Sequence, residues 1–389
     1  MSKSINVPKL RFKEFSGEWG EKKLGEIADI SSGGTPLRNK LSYWNGTIPW
    51  VTTSLIDFKD INSAEEYITE EGLNNSSAKL FEKNTILMAM YGQGKTRGKV
   101  GILKISATTN QACASINSKG IDYKFLYQYL INQYDNIRNL SNEGGQKNLS
   151  GSIIKNIIII YPSKQEQEKI ASFLTSVDTK IEQLTKKEQL LQQYKKGVMQ
   201  KIFNQEIKFK KDDGTEFDEW EEKKLGDVCN IKKGSQLNKD ILTYIGDYPA
   251  LNGGINPSGY TTDWNTEANT ITISEGGNSC GYVNFVTTRF WSGGHNYSLQ
   301  ELENTINPKY LYQYLKFNEL NIMKLRVGSG LPNIQKSAIS SFNINILCIE
   351  EQNKIANFLS SIDSKIEQVQ KQLNSAKDFK KALLQQMFV

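Results

Sequence analysis

The sequence predicts an α+β protein in which two globular modules, related by an approximate two-fold axis, are separated by two long antiparallel helices that form a coiled coil. A duplication predicts this plan. Residues 167–203 and 352–388 align without a gap at a separation of 185 residues, and 12 of their first 17 positions are identical. Residues 18–25 and 219–226 repeat a second motif, 201 residues apart. A duplicated frame with unlike centres indicates two modules that do the same kind of job on different targets.

The two long repeats carry apolar residues at every third or fourth position, with Lys, Glu and Gln between them. This spacing is typical of a helix with a coiled-coil seam, and neither helix can bury its seam alone. We therefore expect the two seams to bury each other. At about 1.5 Å per residue, each helix would span on the order of 50–60 Å. The predicted seam residues are Ile170, Leu174, Val177, Ile181, Leu184, Ile355, Leu359, Ile362, Ile366 and Val369.

The order of the repeats predicts modules at 1–162 and 206–347, each followed by a helix at 163–205 or 348–389. Within the modules, we expect the following elements: strands at 24–30, 86–90, 100–105, 153–160, 271–274 and 282–286, helices at 65–74 and 123–140, and a hairpin-like turn at Trp44-Asn45-Gly46. The 389 residues suffice for two separate cores.

Composition limits the class of protein. No apolar run approaches the roughly 18 residues of a membrane helix, and the first residues contain no apolar segment of a signal peptide, so we expect a cytoplasmic protein. Cys113, Cys229, Cys280 and Cys348 lie far apart without a CxxC pair. This predicts reduced thiols packed as small apolar groups, rather than disulfides or zinc ligands. The net charge of +6 allows a polyanionic partner without requiring one.

The plan is similar to that of the specificity subunit of type I restriction-modification systems, and the similarity extends over essentially the whole chain. The paired KIA-FL-S-D-KIEQ helices and the repeated W-EKKLG motif carry the resemblance. Further similar segments are 48–52 and 109–112 in the first module, and 248–255, 257–260 and 271–274 in the second. The order and duplication of these motifs make the match specific.

The resemblance implies a non-catalytic subunit that reads double-stranded DNA through two target recognition domains and works in the bacterial cytoplasm. It also implies that two methyltransferase subunits bind this chain, joined in the full complex by two ATP-driven restriction subunits. S-adenosylmethionine, ATP and Mg would then belong to those partners, and this chain would bind no cofactor or metal.

The residues themselves offer little catalytic chemistry. Residues 89–96 imitate a phosphate-binding loop, but Ala89 replaces the first glycine and a strand follows instead of a helix. Eight prolines include no Pro-Pro pair, so the D/N-P-P-aromatic loop of adenine methyltransferases is absent. His295 is the only histidine, which removes His-pair metal sites. Asp178 and Asp363 occupy matching helix positions, and we interpret them as solvated residues or partner contacts.

Polar residues on Gly-rich turns are the candidate DNA contacts, because Asn and Gln pair with adenine edges, Arg with guanine, and Lys or Arg with phosphate. The alternatives are a solvated basic turn at 93–99 and backbone-capping roles for the turn asparagines. Loops 144–148 and 329–333 are expected to share one role, phosphate contact or closure of the module on its helix. The candidates are Thr52, Thr53, Ser54, Gln93, Lys95, Thr96, Arg97, Lys99, Asn110, Gln111, Lys147, Asn252, Asn278, Arg289, His295 and Asn296. The competing hypothesis is a coiled-coil scaffold that links two protein-binding modules.

Overall fold

A computed structural model describes residues 6–92, 95–140, 148–328, 330 and 332–389, and only the backbone of Lys239. These residues pack into two compact units. Unit 1 contains the chain up to Leu184 together with Gln372–Val389, and unit 2 is Thr185–Lys371. Each unit therefore includes a segment of both long helices. None of the described helices is long and apolar enough to cross a membrane.

Where the structure describes it, unit 1 is a mixed α+β module with three small sheets. A two-stranded sheet pairs β1 with β11, a five-stranded sheet has the order β2-β10-β7-β8-β4, and a four-stranded sheet has the order β5-β3-β9-β6. Its elements in chain order are β1 (Gly20–Lys23), α1 (Leu24–Ile27), β2 (Ala28–Ser32), β3 (Trp44–Val51), β4 (Asp60–Ile61), β5 (Glu66–Ile68), α2 (Glu70–Asn74), β6 (Leu80–Phe81), β7 (Ile86–Ala89), β8 (Val100–Leu103), β9 (Ala107–Thr109), β10 (Cys113–Ser118), α3 (Tyr123–Asn132), α4 (Tyr134–Asn139), α5 (Gly151–Lys155) and β11 (Ile158–Tyr161). The long helix α6 (Lys164–Phe203) follows and belongs to unit 1 up to Leu184.

Unit 2 repeats this frame. A two-stranded sheet pairs β12 with β20, a four-stranded sheet has the order β13-β19-β16-β17, and a three-stranded sheet has the order β15-β14-β18. Its elements are β12 (Glu221–Lys224), α7 (Leu225–Val228), β13 (Asn230–Lys233), β14 (Tyr248–Leu251), β15 (Gly259–Thr261), β16 (Thr270–Ser274), β17 (Val283–Val286), β18 (Trp291–Ser292), β19 (Asn296–Gln300), α8 (Pro308–Phe317), α9 (Glu319–Met323), α10 (Lys336–Ser340) and β20 (Asn343–Ile346). The second long helix, α11 (Ile349–Met387), ends in unit 1.

The long helices pair as the duplication predicts, but their seams also join the module cores. In unit 1, Ile170 and Leu174 of α6 share a core with Leu383 and Met387 of α11 and with the aromatic residues of α3. In unit 2, the end of α6 shares a core with the start of α11 in the same way. The start of one helix thus meets the end of the other, as in an antiparallel pair. The buried stripe does more than join two helices, because it also fixes each module to the pair.

Several predicted elements differ from the observed ones for local reasons. Residues 24–30 begin with the single helical turn α1, because Leu24 and Ile27 are buried one turn apart and the Glu26 carboxylate accepts from the Lys23 amide. The predicted hairpin turn at Trp44 lies within β3, where a bulge and the positive φ of Asn45 (61°) bend the strand.

Three further elements are shorter than predicted. The helix expected at 65–74 begins only at Glu70, because the Thr69 side chain caps it, and β5 precedes it. The helix expected at 123–140 breaks at Gln133 into α3 and α4. The strand expected at 153–160 starts as helix α5, capped by the Ser150 hydroxyl, so only its second half is β11. Apolar runs do not distinguish a buried helical turn from a strand.

Candidate nucleic-acid interface

Unit 1 gathers several loops at the ends of its strands. Strands β3 and β9 are parallel, so Thr52 and Asn110 follow them at the same edge, and the Asn110 amide donates to the Val51 carbonyl over 3.1 Å. The Met90 amide donates to the Ala112 carbonyl over 2.8 Å, which brings in the hairpin loop between β7 and β8. We call residues 33–36, 52–54, 90–92, 95–99 and 110–112 loop edge 1.

Unit 2 assembles the equivalent loops with the same backbone contacts. The Gly293 amide donates to the Leu251 carbonyl over 2.8 Å, so Asn252 lies beside the residues that follow β18. The Glu275 amide donates to the His295 carbonyl over 2.9 Å and brings in the turn between β16 and β17. We call residues 234–236, 252–254, 275–279 and 293–296 loop edge 2.

A glycine is required directly after β2 and directly after β13, where the chain passes close to the backbone of loop edge 1 or loop edge 2. A Cβ on Gly33 would lie 2.1 Å from the Thr109 carbonyl oxygen, and one on Gly234 would lie 2.2 Å from the Gly293 carbonyl oxygen. The Gly34 amide donates to Thr109 over 2.8 Å in the resulting close contact. The turns at Gly33 and Gly234 therefore serve the assembly of the loop edges.

Part of the candidate set is exposed at the loop edges. In unit 1, Ser54, Lys95 and Gln111 are exposed, while Thr52, Thr53 and Thr96 are half-buried. Thr52 and Ser54 share a hydroxyl hydrogen bond of 2.7 Å, and the Thr35 hydroxyl donates to Gln111 over 2.6 Å. In unit 2, Asn278 and His295 are exposed and Asn252 is half-buried. Their DNA-facing role stays a prediction.

Other candidates are occupied by structural contacts. The Asn110 carboxamide oxygen accepts from the Ala112 amide over 3.1 Å and so caps its own turn. Arg97 donates to the Arg138 carbonyl over 2.9 Å, and Lys99 pairs with Asp57 over 2.5 Å. These contacts hold the second half of the hairpin loop against the module.

Two candidates of unit 2 lie away from the exposed part of loop edge 2, and Gln93 and Lys147 lie outside the described residues. Asn296 is 3% exposed and donates to the Ser292 hydroxyl over 3.2 Å, which corrects the expectation that it faces a ligand. Arg289 pairs with Glu267 over 3.0 Å and lies over the Trp264 ring. Glu267 precedes β16, whereas loop edge 2 follows it, so Arg289 belongs to the opposite end of that strand.

A buried carboxylate organises loop edge 2, and composition gave no sign of it. Glu275 accepts from Lys233 over 2.6 Å and from the Tyr297 hydroxyl over 3.1 Å, and His295 Nδ1 lies 3.4 Å away. Burial by itself raises the pKa of Glu275, but the hydrogen bonds from Lys233, Tyr297 and His295 outweigh it and hold the pKa below its usual value. Glu275 therefore orients the His295 ring through Nδ1, while the side chain of His295 remains exposed.

A polar contact fixes the module of unit 1 to the long helices. The side-chain amide of Gln128, on α3, donates to the Asp178 carboxylate of α6 over 2.6 Å. Lys380 of α11 pairs with the same carboxylate over 2.6 Å. The Gln128 Oε1 is buried without a partner among the described residues. Asp178 is therefore an internal junction residue, which corrects the reading of a solvated position or partner contact.

Unit 2 contains the same junction, 185 residues further along. The Gln313 amide donates to Asp363 over 2.7 Å, and Lys195 pairs with Asp363 over 2.6 Å. The Gln313 Oε1 also lacks a partner within the described chain. Each junction combines a module, the start of one helix and the end of the other. The offset of 185 residues also relates Lys195 to Lys380, so the repeat contained this signal.

The described residues include three buried thiols and one exposed thiol. Cys113, Cys229 and Cys280 are buried, as predicted, whereas Cys348 is exposed at the start of α11. Burial raises the pKa of Cys113 and of Cys229 to about 12. Where the structure describes the chain, no group of three or more His, Cys, Asp or Glu residues could hold a metal ion.

Both repeated modules resemble a known protein family. The model of the type I restriction modification DNA specificity domain matches residues 16–193 and 217–377. The chain belongs to this family. The two matched segments each combine one module with most of one long helix.

Two relatives and one solved structure support this assignment. The type I restriction enzyme MjaIX specificity subunit of Methanocaldococcus jannaschii is 31% identical over 233 residues, 56% of this chain and 53% of that protein. The EcoR124I/EcoR124II specificity subunit of Escherichia coli is 34% identical over 183 residues, 45% of this chain and 44% of that protein. In these alignments the chain spans about half the length of each relative.

The solved structure extends the likeness to the whole fold. The crystal structure of a type I restriction-modification S subunit from M. genitalium has a TM-score of 0.72 with this chain. The comparison covers 98% of this chain and 99% of that one at 20% sequence identity. At this identity the likeness concerns the fold alone, and it confirms the predicted plan of two α+β modules on long helices.

Proposed function

We propose that this chain is the DNA-reading subunit of a type I restriction-modification complex, and that each unit reads one part of an interrupted target. One observation carries the proposal: both units hold equivalent loops at an equivalent edge, with the same backbone contacts but different exposed side chains. A common frame with variable polar edges suits the recognition of two different half-sites. The side chains at the loop edges would read the DNA sequence at the base edges, and the common fold of each unit would position these side chains on the DNA.

At loop edge 1, Ser54 and Gln111 are proposed to contact bases and Lys95 to contact phosphate. At loop edge 2, Asn252 and Asn278 are proposed to contact base edges, where a carboxamide pairs well with adenine. His295 is proposed to contribute through its exposed ring nitrogen, with Nδ1 oriented by Glu275.

We further propose that the chain itself is non-catalytic and works in the cytoplasm, with S-adenosylmethionine on methyltransferase subunits and ATP with Mg on restriction subunits. The three buried thiols are unsuited to nucleophilic catalysis, because a nucleophilic cysteine needs a lowered pKa. Burial instead raises the pKa of Cys113, Cys229 and Cys280.

Two copies of a methyltransferase subunit are proposed to dock on equivalent helix faces. Tyr194 of α6, in unit 2, and Phe379 of α11, in unit 1, are related by the repeat, and each ring is 53% exposed. A small residue follows each ring three positions later, Gly197 or Ala382, on the same helix face. An exposed aromatic ring beside a small residue suits an interface, and its repetition suits two identical partners.

DNA binding is tested by selecting duplexes from a random library with the full chain. The expected result is an interrupted sequence, bound with an affinity that falls steeply with salt, by about 0.9 log units per log unit of salt for each phosphate neutralised. Lys95→Ala should lower this slope without changing the selected sequence. A chain that selects no sequence, with or without its methyltransferase partner, would favour the scaffold alternative.

Partner docking is tested by measuring the mass of the complex with the methyltransferase subunit. Tyr194→Ser or Phe379→Ser alone should reduce the bound copies from two to one, and the double variant should bind none. Lys196→Ser is the matched control, because two residues along a helix place it on the opposite side from Tyr194. Unchanged stoichiometry in the double variant would refute these docking faces.

A further inference from the structure

The strand that leads to each loop edge differs between the units at one aromatic position. Residues 41–52 and 241–252 align without a gap, with a glycine and a proline at matching positions. In this alignment Trp50 corresponds to Ala250. The sheets support the correspondence, because both residues lie in a strand that pairs in parallel with the next edge strand.

A tryptophan is present in both units but on different strands. In unit 1, the Trp50 indole on β3 donates to the Gly34 carbonyl over 3.0 Å. In unit 2, Trp291 on β18, directly opposite Ala250, donates to the Ser235 carbonyl over 2.9 Å. The indole hydrogen bond to the turn after the first sheet strand is thus retained, while β14 has only a methyl group where β3 has an indole.

Unit 1 fills the space around this position with its own side chains. The Trp44 ring packs edge-on against Trp50, with ring centroids 5.1 Å apart. The Arg38 guanidinium lies 3.9 Å above the Trp44 ring and is held by Glu66. All four groups are fixed by contacts within the module, so this region of unit 1 is a packed cluster.

Unit 2 leaves the equivalent space open. Gly259 lies opposite Ala250 in the sheet, at the register position that Glu66 holds in unit 1. Tyr244, which corresponds to Trp44, is 98% exposed. A cavity of about 470 Å³ results, and its lining includes Tyr244, Ala250, Asn252, Gly259, Trp291 and Gly293. We call it the unit 2 pocket.

We propose that the unit 2 pocket takes one unstacked nucleobase of the bound DNA, with the Tyr244 ring closing over it. The inference rests on the proposed function, because the pocket adjoins loop edge 2 through Asn252 and Gly293. Its lining combines aromatic and aliphatic side chains, which can pack on the flat faces of a base, with polar groups that can meet the edge of a base. A base between Tyr244 and Trp291 would supply the packing partner that Trp50 supplies to Trp44 in unit 1.

Asn252 supplies the pocket with a polar group that suits the edge of a base. The Asn252 Oδ1 accepts from the His295 amide over 3.2 Å, so the orientation of the carboxamide is fixed and its NH₂ group is directed away from that contact. A Cβ on Gly293 would lie 2.6 Å from this Oδ1, so glycine is needed to hold Asn252 in place. The NH₂ group would donate to a ring nitrogen or carbonyl oxygen of the base.

Mismatch scanning of the selected duplex tests the proposal with the full chain. A base that must leave the stack costs less to extract when it is already mispaired. We expect one position, in the half read by unit 2, at which a mismatch tightens binding by about tenfold. Mismatches at the other read positions should weaken binding.

Variants connect this position to the pocket. Tyr244→Ala removes the closing ring without disturbing the fold, because the side chain is exposed, and Ala250→Trp fills the cavity. Both should abolish the gain from the mismatch, whereas Tyr244→Trp, which keeps an aromatic ring, should retain it. Leu41→Ala is the control, because Leu41 is 81% exposed in the corresponding loop of unit 1.

Two results would overturn the inference: no position at which a mismatch tightens binding, or a gain that survives both Tyr244→Ala and Ala250→Trp. A wild-type chain that selects no duplex would instead overturn the proposed function itself. A chain that reads an interrupted sequence but shows no favourable mismatch separates the two, because then only the pocket assignment fails.

Discussion

Units 1 and 2 agree closely at their junctions with the long helices and differ at their loop edges. The Gln–Asp–Lys contact recurs with distances that agree within 0.1 Å. Near the loop edges, by contrast, the packed Trp44–Trp50 pair of unit 1 is replaced in unit 2 by Ala250 and an open pocket. Duplication has therefore preserved the contacts that hold a module in place, and has left the presented surface free to change.

A second comparison concerns which part of the chain completes each unit. Phe388, near the end of the chain, packs on Trp19, Phe125 and Tyr129 in unit 1. The equivalent Phe203 packs on Tyr310 and Tyr314 in unit 2. Each module thus needs the final turn of the helix that follows the other module. Stability should be linked between regions that are far apart in sequence.

The largest expected effect on stability concerns the phenylalanine at the end of each long helix, which completes the core of the other module. Phe388→Ala should destabilise unit 1, and Phe203→Ala unit 2, each by about 3–5 kcal/mol, because a buried aromatic side chain leaves a cavity. The buried thiols report which unit opens: Cys113 for unit 1, and Cys229 and Cys280 for unit 2. Thiol labelling in a urea series, followed by mass spectrometry, measures both. Phe379→Ala and Tyr194→Ala, on exposed positions of the same helices, are the matched controls.

A smaller effect is expected at the junctions. Asp178→Ala leaves Lys380 and the buried Gln128 amide without their acceptor, and should cost about 2–3 kcal/mol in unit 1. Asp363→Ala should cost less in unit 2, because Asp363 is 40% exposed against 27% for Asp178, and solvent screens its ion pair. Urea unfolding measures both, and Asp178→Asn, which keeps an acceptor, should fall between wild type and Asp178→Ala. A larger loss at Asp363 would contradict the comparison.

Replacing the glutamate in the first turn of each long helix by glutamine should change the stability of the two units in opposite directions. Glu166 is bound by two nitrogens of Arg11 at 2.8 and 2.7 Å, so Glu166→Gln should destabilise unit 1 by about 2 kcal/mol. The equivalent residue in unit 2 is Glu351, which is 4% exposed. Burial raises its pKa, and a hydrogen bond with the Trp220 indole offsets this only in part. Glu351→Gln should therefore stabilise unit 2 at neutral pH, where the buried carboxylate is ionised at a cost.

The pH dependence of Glu351 checks that sign. A carboxyl group whose pKa is raised in the folded state favours folding fully only below its unfolded pKa, about 4.3. Its contribution declines as the pH rises from there through the folded pKa. The stabilisation by Glu351→Gln should thus be present at pH 7 and vanish below about pH 4. A benefit that is independent of pH would refute the assignment to ionisation.

The smallest expected effect concerns the residue before each long helix. Ser163 precedes α6, and its hydroxyl accepts from the Glu166 amide, whereas Cys348 stands at the equivalent position before α11. Cys348→Ser should stabilise unit 2 by about 0.5–1 kcal/mol, because serine is a favoured helix cap. The midpoint of urea unfolding measures it, with Ser163→Cys as the reciprocal variant. A gain in unit 1 from Cys348→Ser would contradict the assignment of α11's start to unit 2.

The frame could be predicted from sequence because the repeat encodes it. Any contact present in both units recurs at one offset, as the seam, the junction glutamines and the final phenylalanines do. The loop edges could not be predicted in the same way. His295 and Asn296 are adjacent and both polar, yet one is exposed beside Glu275 and the other is 3% exposed. Strand register and hydrogen bonding determine which of the two side chains is exposed, and neither can be predicted from residue type.

The helix predictions show the same division. Periodicity located both long helices, but it did not predict that the seam would join the core of each module. Likewise, Arg97 and Lys99 have the composition of a DNA-contacting loop, but their head groups are held by Arg138 and Asp57. Charge indicates what a side chain can bind, whereas the fold decides which partner is within reach.

If each unit reads its own part of one DNA target, variants at the two loop edges must alter different parts of the selected sequence. Duplexes selected by wild type, by Gln111→Ala and by Asn252→Ala are compared by sequencing. We expect Gln111→Ala to relax one part of the interrupted sequence and Asn252→Ala to relax only the other. Variants that relax both parts together, or that leave the selected sequence unchanged, would contradict it.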